Sequence, residues 1–470
     1  MSHFIAAHQS KAYLCHMSNL TSETICALST PHGVGGIAVV RVSGPLALSV
    51  SQAIVKKPLN ETKVREAQFR AIMDGDQILD EAVLTYFQGP ASFTGEDVVE
   101  IAVHGSRYIQ QRLLQVLLEK GCRLAQPGEY TMRAYLNGKL DLSRAEAVGD
   151  VIAAESAAAH RQAVHQMRGG FSQEIDGLRE KLIQFSSLLE LELDFAEEDV
   201  EFADRTALVK LLTEIERVVV RLRESFRLGN AIKNGIPTAI LGAPNAGKST
   251  LLNALLNEER AIVSDIAGTT RDTVEEVLHL NGVQFRLIDT AGIRETRDTI
   301  EQMGIARSWE KASHAELILW LVDGSHCTAQ QLQDEWNAIA KIKREEAQVL
   351  LVVNKQDVGT SALTWNTTPV FYISAKDKQG LETLTAEMSQ RYLEDLQGQD
   401  TIVTNARHHE ALGLALTSLH DVQSGMQQGL TSDLLAIDIR NTLYHLASIT
   451  GAVSADDILH SIFSKFCIGK

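Results

Sequence analysis

At 470 residues, with a formal net charge of −16 and 44% apolar residues, the chain has room for about three domains and is too acidic to be a general nucleic-acid coat, though a local basic face is compatible with it. Its longest apolar stretches fall short of the roughly 18 residues that a membrane span needs, and its prolines form no low-complexity tract. Cys15, Cys26, Cys122, Cys327 and Cys467 make no CxxC pair, so neither a zinc site nor a disulfide framework is expected and a reducing cytoplasm fits.

The first 16 residues lack a continuous apolar core and a basic start, which makes a poor signal peptide. The ordered pattern begins after Met17, so residues 1–20 are expected to be a flexible tail. From there to residue 137 the chain reads as mixed α/β. Apolar runs at Ile37 to Val42, Glu81 to Phe87 and Val98 to Val103 alternate with helix-like stretches at Leu46 to Ile54 and Tyr108 to Lys120. Gly33-Val34-Gly35-Gly36 before the first of these runs reads as a tight turn.

A helical pattern takes over at about residue 138. Ile175, Leu178, Leu182, Phe185 and Leu189 step by threes and fours, as do Leu208, Leu211, Ile215, Val218 and Leu222. Both sets predict amphipathic helices.

Residues 233–396 are different. The apolar run Ile236 to Leu241 leads into Gly242-Ala243-Pro244-Asn245-Ala246-Gly247-Lys248-Ser249, followed by a helical run from Thr250 to Leu256. A strand, a glycine loop and a helix start aim backbone N–H groups and a helix dipole at one anion. Asn245, Ala246, Gly247, Lys248, Ser249 and Thr250 are therefore candidate nucleotide contacts. Lys248 can reach the β- and γ-phosphates, and Ser249 can bind Mg²⁺.

Further motifs follow in order. Ser264-Asp265-Ile266-Ala267-Gly268-Thr269-Thr270 reads as a switch loop whose Thr270 completes the Mg²⁺ shell, or more plainly as a polar turn with a helix cap. Asp289-Thr290-Ala291-Gly292 ends the strand Phe285 to Ile288. Its aspartate can hold the Mg²⁺ shell and its glycine can bring an N–H to a γ-phosphate. Asn354-Lys355-Gln356-Asp357 follows the strand Val349 to Val353. The Asp357 carboxylate can accept from the N1–H and amino group of guanine, a donor pair adenine lacks, so GTP is the expected nucleotide. Ser374-Ala375-Lys376 follows the strand Val370 to Ile373 and can offer backbone N–H groups to the guanine carbonyl.

The position after DTAG, where Ras-like enzymes place a water-orienting glutamine, is Ile293. Water must be positioned by other groups. Arg294, Glu295, Arg297, Asp298 and Glu301 lie in the next segment, which can equally be a solvated charged loop. Beyond residue 397 helical spacing returns at Leu412, Leu416 and Leu419, at Leu435, Ile439, Leu443 and Leu446, and at Ile458, Ile462 and Phe466. Two helical segments, 138–232 and 397–470, thus flank the nucleotide module. The economical reading is a P-loop domain inserted into one helical bundle, with hinges near Asn230 to Pro237 and Leu393 to Thr401.

Several stretches together resemble the MnmE (TrmE) family of tRNA uridine-modification GTPases. They are Gly35-Gly36-Ile37 with Arg41-Val42-Ser43-Gly44, Ser92-Phe93-Thr94-Gly95-Glu96-Asp97, Pro127-Gly128-Glu129-Tyr130-Thr131, Lys139-Leu140-Asp141-Leu142, the phosphate loop itself and the terminal Phe466-Cys467-Ile468-Gly469-Lys470. The resemblance implies an N-terminal α/β folate-binding and dimerisation domain over 21–137, a helical domain and an inserted Ras-like G domain with a mostly parallel sheet. It implies K⁺-stimulated GTP hydrolysis when two G domains of a homodimer face each other. Asn245, Ser264, Ile266 and Thr269 then hold K⁺, and Glu301 is the catalytic glutamate. Arg41, Glu100, Lys139 and Lys470 map to the pocket for 5-formyltetrahydrofolate or a related folate. The implied partners are tRNA and the FAD-containing flavoprotein MnmG, in a heterotetramer that modifies C5 of the wobble uridine. Two rivals remain at this stage: a switch protein such as a ribosome-assembly GTPase, and a scaffold that binds GTP without useful hydrolysis.

Overall fold

The computed structural model describes residues 23–194, 205–256, 276–288, 312–359, 365–397, 401–453, 456–464 and 466–469. The expected tail, the switch loop, DTAG, Glu301 and Lys470 lie outside them. The described residues fall into two compact units, one within Met1–Ile152, Gln166–Ala203 and Gly429–Lys470, the other within Ala153–His165 and Asp204–Gln428.

The first unit is built on a six-stranded sheet in the order β3-β4-β5-β2-β1-β6. Its strands are β1 (Ile25–Leu28), β2 (Gly35–Ser43), β3 (Ala67–Asp74), β4 (Gln77–Phe87), β5 (Val98–Gly105) and β6 (Arg123–Leu124). Alternation decides its two faces. Val40 and Val42 of β2 and Ile101 and Val103 of β5 are buried with Val50 of α1 (Ala47–Ala53), with Ile54 just past its end, and with Leu113, Val116 and Leu117 of α2 (Arg107–Glu119). Arg41 and Glu100, one residue out of phase, lie on the opposite face and are register partners. There Ile25 and Ala27 pack with Tyr130 of α3 (Glu129–Leu136). The helices α4 (Leu142–Ala153) and α6 (Gly170–Asp194) follow in this unit, while most of the intervening α5 (Ala157–Met167) belongs to the second.

The second unit holds a six-stranded sheet in the order β12-β11-β10-β7-β9-β8. Its strands are β7 (Ile236–Leu241), β8 (Glu276–Leu280), β9 (Val283–Ile288), β10 (Leu317–Asp323), β11 (Gln348–Asn354) and β12 (Val370–Tyr372). All pairings are parallel except β8 with β9. The β10 run Leu317 to Val322 is buried throughout because both faces are covered. Leu317, Leu319 and Leu321 enter one core, while Ile318, Trp320 and Val322 enter the other. Strand β7 lies between β10 and β9, so the sheet grows in both directions from it. That makes the loop after β7 the topological switch point, where α/β sheets bind ligands.

The remaining helices are α7 (Arg205–Glu224), α8 (Phe226–Asn234), α9 (Lys248–Leu256), α10 (Ala329–Ile342), α11 (Leu381–Gln397), α12 (Ala406–Gln427), α13 (Ser432–Thr450) and α14 (Asp456–Phe463). Helices before the nucleotide module pair with helices after it. Helix α6 packs on α13 within the first unit, and α7 on α12 within the second. Within each unit, chain from before the nucleotide module thus packs against chain from after it. The α7 stripe differs in detail from its expected register. Leu208, Ile215 and Leu222 are fully buried, but Leu212 and Val219 replace Leu211 and Val218 as their companions. Each replaced residue has an apolar neighbour, and tertiary packing chooses between them.

Candidate functional site

The C-terminal ends of β7, β10 and β11 lie side by side in the parallel sheet, with Trp320 opposite Leu241 and Asp323 opposite Asn354. The phosphate loop therefore emerges next to the Asn354 turn. Asn245 stands in the left-handed region at φ 63°, and the loop runs straight into α9, whose first residues are Lys248, Ser249 and Thr250. The Lys248 Nζ donates to the carbonyls of Gly242 and Ala243 at 2.9 and 3.0 Å, so its charge sits over the loop itself. Gly247 needs to be glycine: its φ is 101°, and a Cβ there would overlap the Asn354 side-chain amide.

Asn354 joins the two ends of the site. It is 3% exposed. Its Nδ2 donates to the Ala246 carbonyl at 2.9 Å, and its Oδ1 accepts from the Ala375 N–H at 3.0 Å. Of the amides expected to face a base carbonyl, that of Ala375 is thus held by Asn354. Buried Ser374 donates through Oγ to Asp357 Oδ1 at 2.9 Å, which orients the exposed carboxylate. The Asp377 N–H in turn donates to Ser374 Oγ at 3.2 Å. Lys355 bonds Asp323 at 2.6 Å. Burial alone would raise the Asp323 carboxyl, but Lys355 and the Ser325 hydroxyl and amide outweigh it and hold it below the usual range. Asp323 carries no role in the sequence reading. In the sequence it follows an apolar run as Asp289 does, and that signal could have found it.

A second cluster sits in the first unit. The Arg41 guanidinium donates through Nε and Nη2 to Glu100 Oε1 at 3.1 and 2.8 Å. It also lies 5.6 Å from the ring centres of both Phe93 and Tyr130, within cation–π range. The Tyr130 hydroxyl donates to the Arg41 carbonyl at 2.7 Å, while burial pushes that hydroxyl well above its ordinary pKa, so it stays a donor. Lys139 Nζ donates to the Pro90 carbonyl at 2.9 Å, on the same loop that carries Phe93. The chain end arrives here too. Gly128 N–H donates to the Cys467 carbonyl at 3.4 Å. Ser29 Oγ donates to the Gly469 carbonyl at 3.2 Å, and a Cβ on Gly469 would run into the Leu28 carbonyl. Leu28 is one residue from Ala27, the register partner of Arg41. Arg41 and Glu100 are thus paired, Lys139 is tied to the loop that carries Phe93, and the residue before Lys470 docks on β1, the strand that pairs with Arg41. Phe93 and Tyr130 lie inside quoted motifs but carry no role in the sequence reading.

A family model for the GTP-binding protein TrmE N-terminus matches residues 24–139, and one for the MnmE helical domain matches residues 142–467. The tRNA modification GTPase MnmE of Bacteroides thetaiotaomicron is 50% identical over 96% of this chain and 100% of its own length. That of Flavobacterium johnsoniae is likewise 50% identical over 96% and 100%, and that of Cytophaga hutchinsonii 51% identical over 96% and 98%. On identity of this extent along nearly the whole of each chain, the chain belongs to the MnmE (TrmE) family.

Proposed function

We propose that this chain hydrolyses GTP in the service of tRNA modification. The observation that carries the reading is the Asn354 bridge. One buried amide ties the phosphate loop to the loop beside Asp357, in a chain half identical to proteins named for that activity. In this reading the loop amides and Lys248 hold the phosphates, and Asp357 accepts from the donor edge of guanine. Ile293 cannot orient water, so Glu301 takes that part. Ser249 and Thr270 offer hydroxyl oxygens suited to Mg²⁺. Asn245, Ser264, Ile266 and Thr269 offer neutral oxygens suited to K⁺. These cations neutralise charge on the phosphates. Hydrolysis drives a conformational change in a homodimer that works with MnmG. A folate held near Arg41, Glu100, Lys139 and Lys470 supplies the carbon for C5 of the wobble uridine. The exposed ring of Phe93 and the carboxylate of Glu100 suit a flat ring with a donor edge. Mass spectrometry of wobble uridines from cells lacking the protein tests the whole reading, and unmodified levels equal to those of the parent strain would sink it.

Hydrolysis is expected to be faster in K⁺ than in Na⁺ at equal ionic strength. Asn245→Ala should erase that difference while sparing much of the nucleotide affinity, since Lys248 and the loop amides remain. Equal rates of the parent chain in the two salts would refute the cation role.

Calorimetric titration of a reduced formyl-folate compares the full chain with one truncated after Phe466. Loss of the docked tail should weaken binding by roughly ten- to a hundredfold, the size of one charged contact. Unchanged affinity would take Lys470 out of the pocket.

A further inference from the structure

We infer that Asp323 is a positioning residue for guanine recognition: it fixes Lys355 in the left-handed backbone turn that carries the chain from Asn354 to Asp357. The inference rests on the reading of Asp357 as the guanine acceptor.

Lys355 has φ 67°. L residues enter this region at a cost, and asparagine does so more readily than lysine because its short amide bonds locally. Such a conformation persists where the surroundings over-determine it, and it clusters at ligand sites. Here those surroundings are in view. Lys355 Nζ lies 2.6 Å from Asp323 Oδ2, with the two side chains 34% and 23% exposed. Asp323 is anchored in turn. Its Oδ1 accepts from the Ser325 N–H at 3.0 Å and the Ser325 hydroxyl at 2.5 Å. Because β10 and β11 pair with Asp323 opposite Asn354, the bridge reaches across neighbouring strands to the first residue past the strand end. The turn then closes through Gln356 N–H to the Ile373 carbonyl at 3.1 Å and Val358 N–H to the Lys355 carbonyl at 3.0 Å. Asp357, inside that turn, meets Ser374. Asn354 fixes the near end of the segment and Ser374 the far end, while the Asp323 bridge pins the strained residue between them.

The test is a double-mutant cycle on the full chain, read by titration with GDP and with inosine diphosphate, which lacks the 2-amino donor. Asp323→Asn keeps the side chain's size and an acceptor for Ser325 but removes the charge. It should weaken GDP binding about tenfold, the effect of one charge-assisted contact, and narrow the preference for GDP over inosine diphosphate. In a Lys355→Gly background, where the turn has no Cβ to strain and no ammonium to hold, the same change should cost less than about twofold. Lys355→Asn, which tolerates the same φ, serves if the glycine variant fails to fold. An equal loss in both backgrounds would assign Asp323 to the Ser325 turn alone and overturn the proposal, as would unchanged GDP affinity in Asp323→Asn. A parent chain that binds GDP no better than ADP would instead overturn the reading of Asp357, and the proposal with it.

Discussion

Asn354→Ala should lower guanine-nucleotide affinity by about a hundredfold, although Asn354 itself is occupied by protein on both sides. The side chain is 3% exposed and makes two bonds, to the Ala246 carbonyl and from the Ala375 N–H. Truncation leaves both backbone groups without it in a buried setting, and each costs about 1–3 kcal/mol. A combined loss near 3 kcal/mol corresponds to about two powers of ten in an equilibrium constant. The loss appears in binding because the bonds join two loops that must face one ligand. Without the bridge, the phosphate loop and the Ser374–Lys376 loop have to be brought into register by the nucleotide itself. Asn354→Asp keeps the acceptor for Ala375 but places a carboxylate against the Ala246 carbonyl, so it should be at least as damaging. Titration with GDP, alongside thermal unfolding, separates the outcomes. An alanine variant that melts lower but binds GDP with parental affinity would show that the bridge serves stability alone.

Much of the nucleotide module was legible because its chemistry sits at the ends of parallel strands. Parallel strands covered on both faces must be apolar throughout, and each motif residue then follows an apolar run. The expected strand Ile236 to Leu241 matches β7, and Val349 to Val353 lies inside β11. The insertion was legible for a similar reason, since helical spacing stops and resumes around the module. Other features were not. Strand β3, AQFRAIMD, alternates weakly because Phe69 is exposed and Met73 sits at a register shift. Strand β10 is an unbroken apolar run, which periodicity cannot distinguish from a buried helix segment. Asp323 went unread because its partner Lys355 lies just past the end of a neighbouring strand. The approach of Arg41 to both Phe93 and Tyr130 likewise joins a strand, a loop and a helix that only the fold brings together. The family resemblance named Arg41 and Glu100, but their mutual pairing follows from the β2–β5 register.

Arg133 was invisible in the same way, and its replacement should have a large effect on stability. By composition it is one of 44 lysines and arginines in the chain. In the fold it is fully buried, with Glu129 at 2.9 Å, Glu96 at 3.1 Å and the Glu23 carbonyl at 2.8 Å. Glu129 is also fully buried and is shared with Arg123 at 2.7 Å. Arg133→Met fills similar space but strips a buried carboxylate of one of its two guanidinium partners, a change that costs about 3–5 kcal/mol. For a unit of this size that is a fall of roughly 10 °C in its unfolding temperature. Acid sensitivity gives a second readout. Burial alone would raise the Glu129 carboxyl, but Arg123, the Gln126 N–H and Arg133 outweigh it and hold it below its ordinary value. A carboxyl lowered on folding contributes stability that is fully present above its unfolded pKa and is lost as pH falls through its folded pKa. Removing Arg133 raises the folded value, so the acid limb of the stability curve should move to higher pH. Glu129→Gln added to Arg133→Met should recover part of the loss, because the uncompensated charge is gone. The consequence reaches the second cluster, since α3 also carries Tyr130, whose hydroxyl holds the Arg41 carbonyl. Thermal unfolding of the parent, single and double variants across the acid range checks all of this, and a single variant that melts with the parent and shows the same acid limb would mean that the buried arginine contributes nothing net.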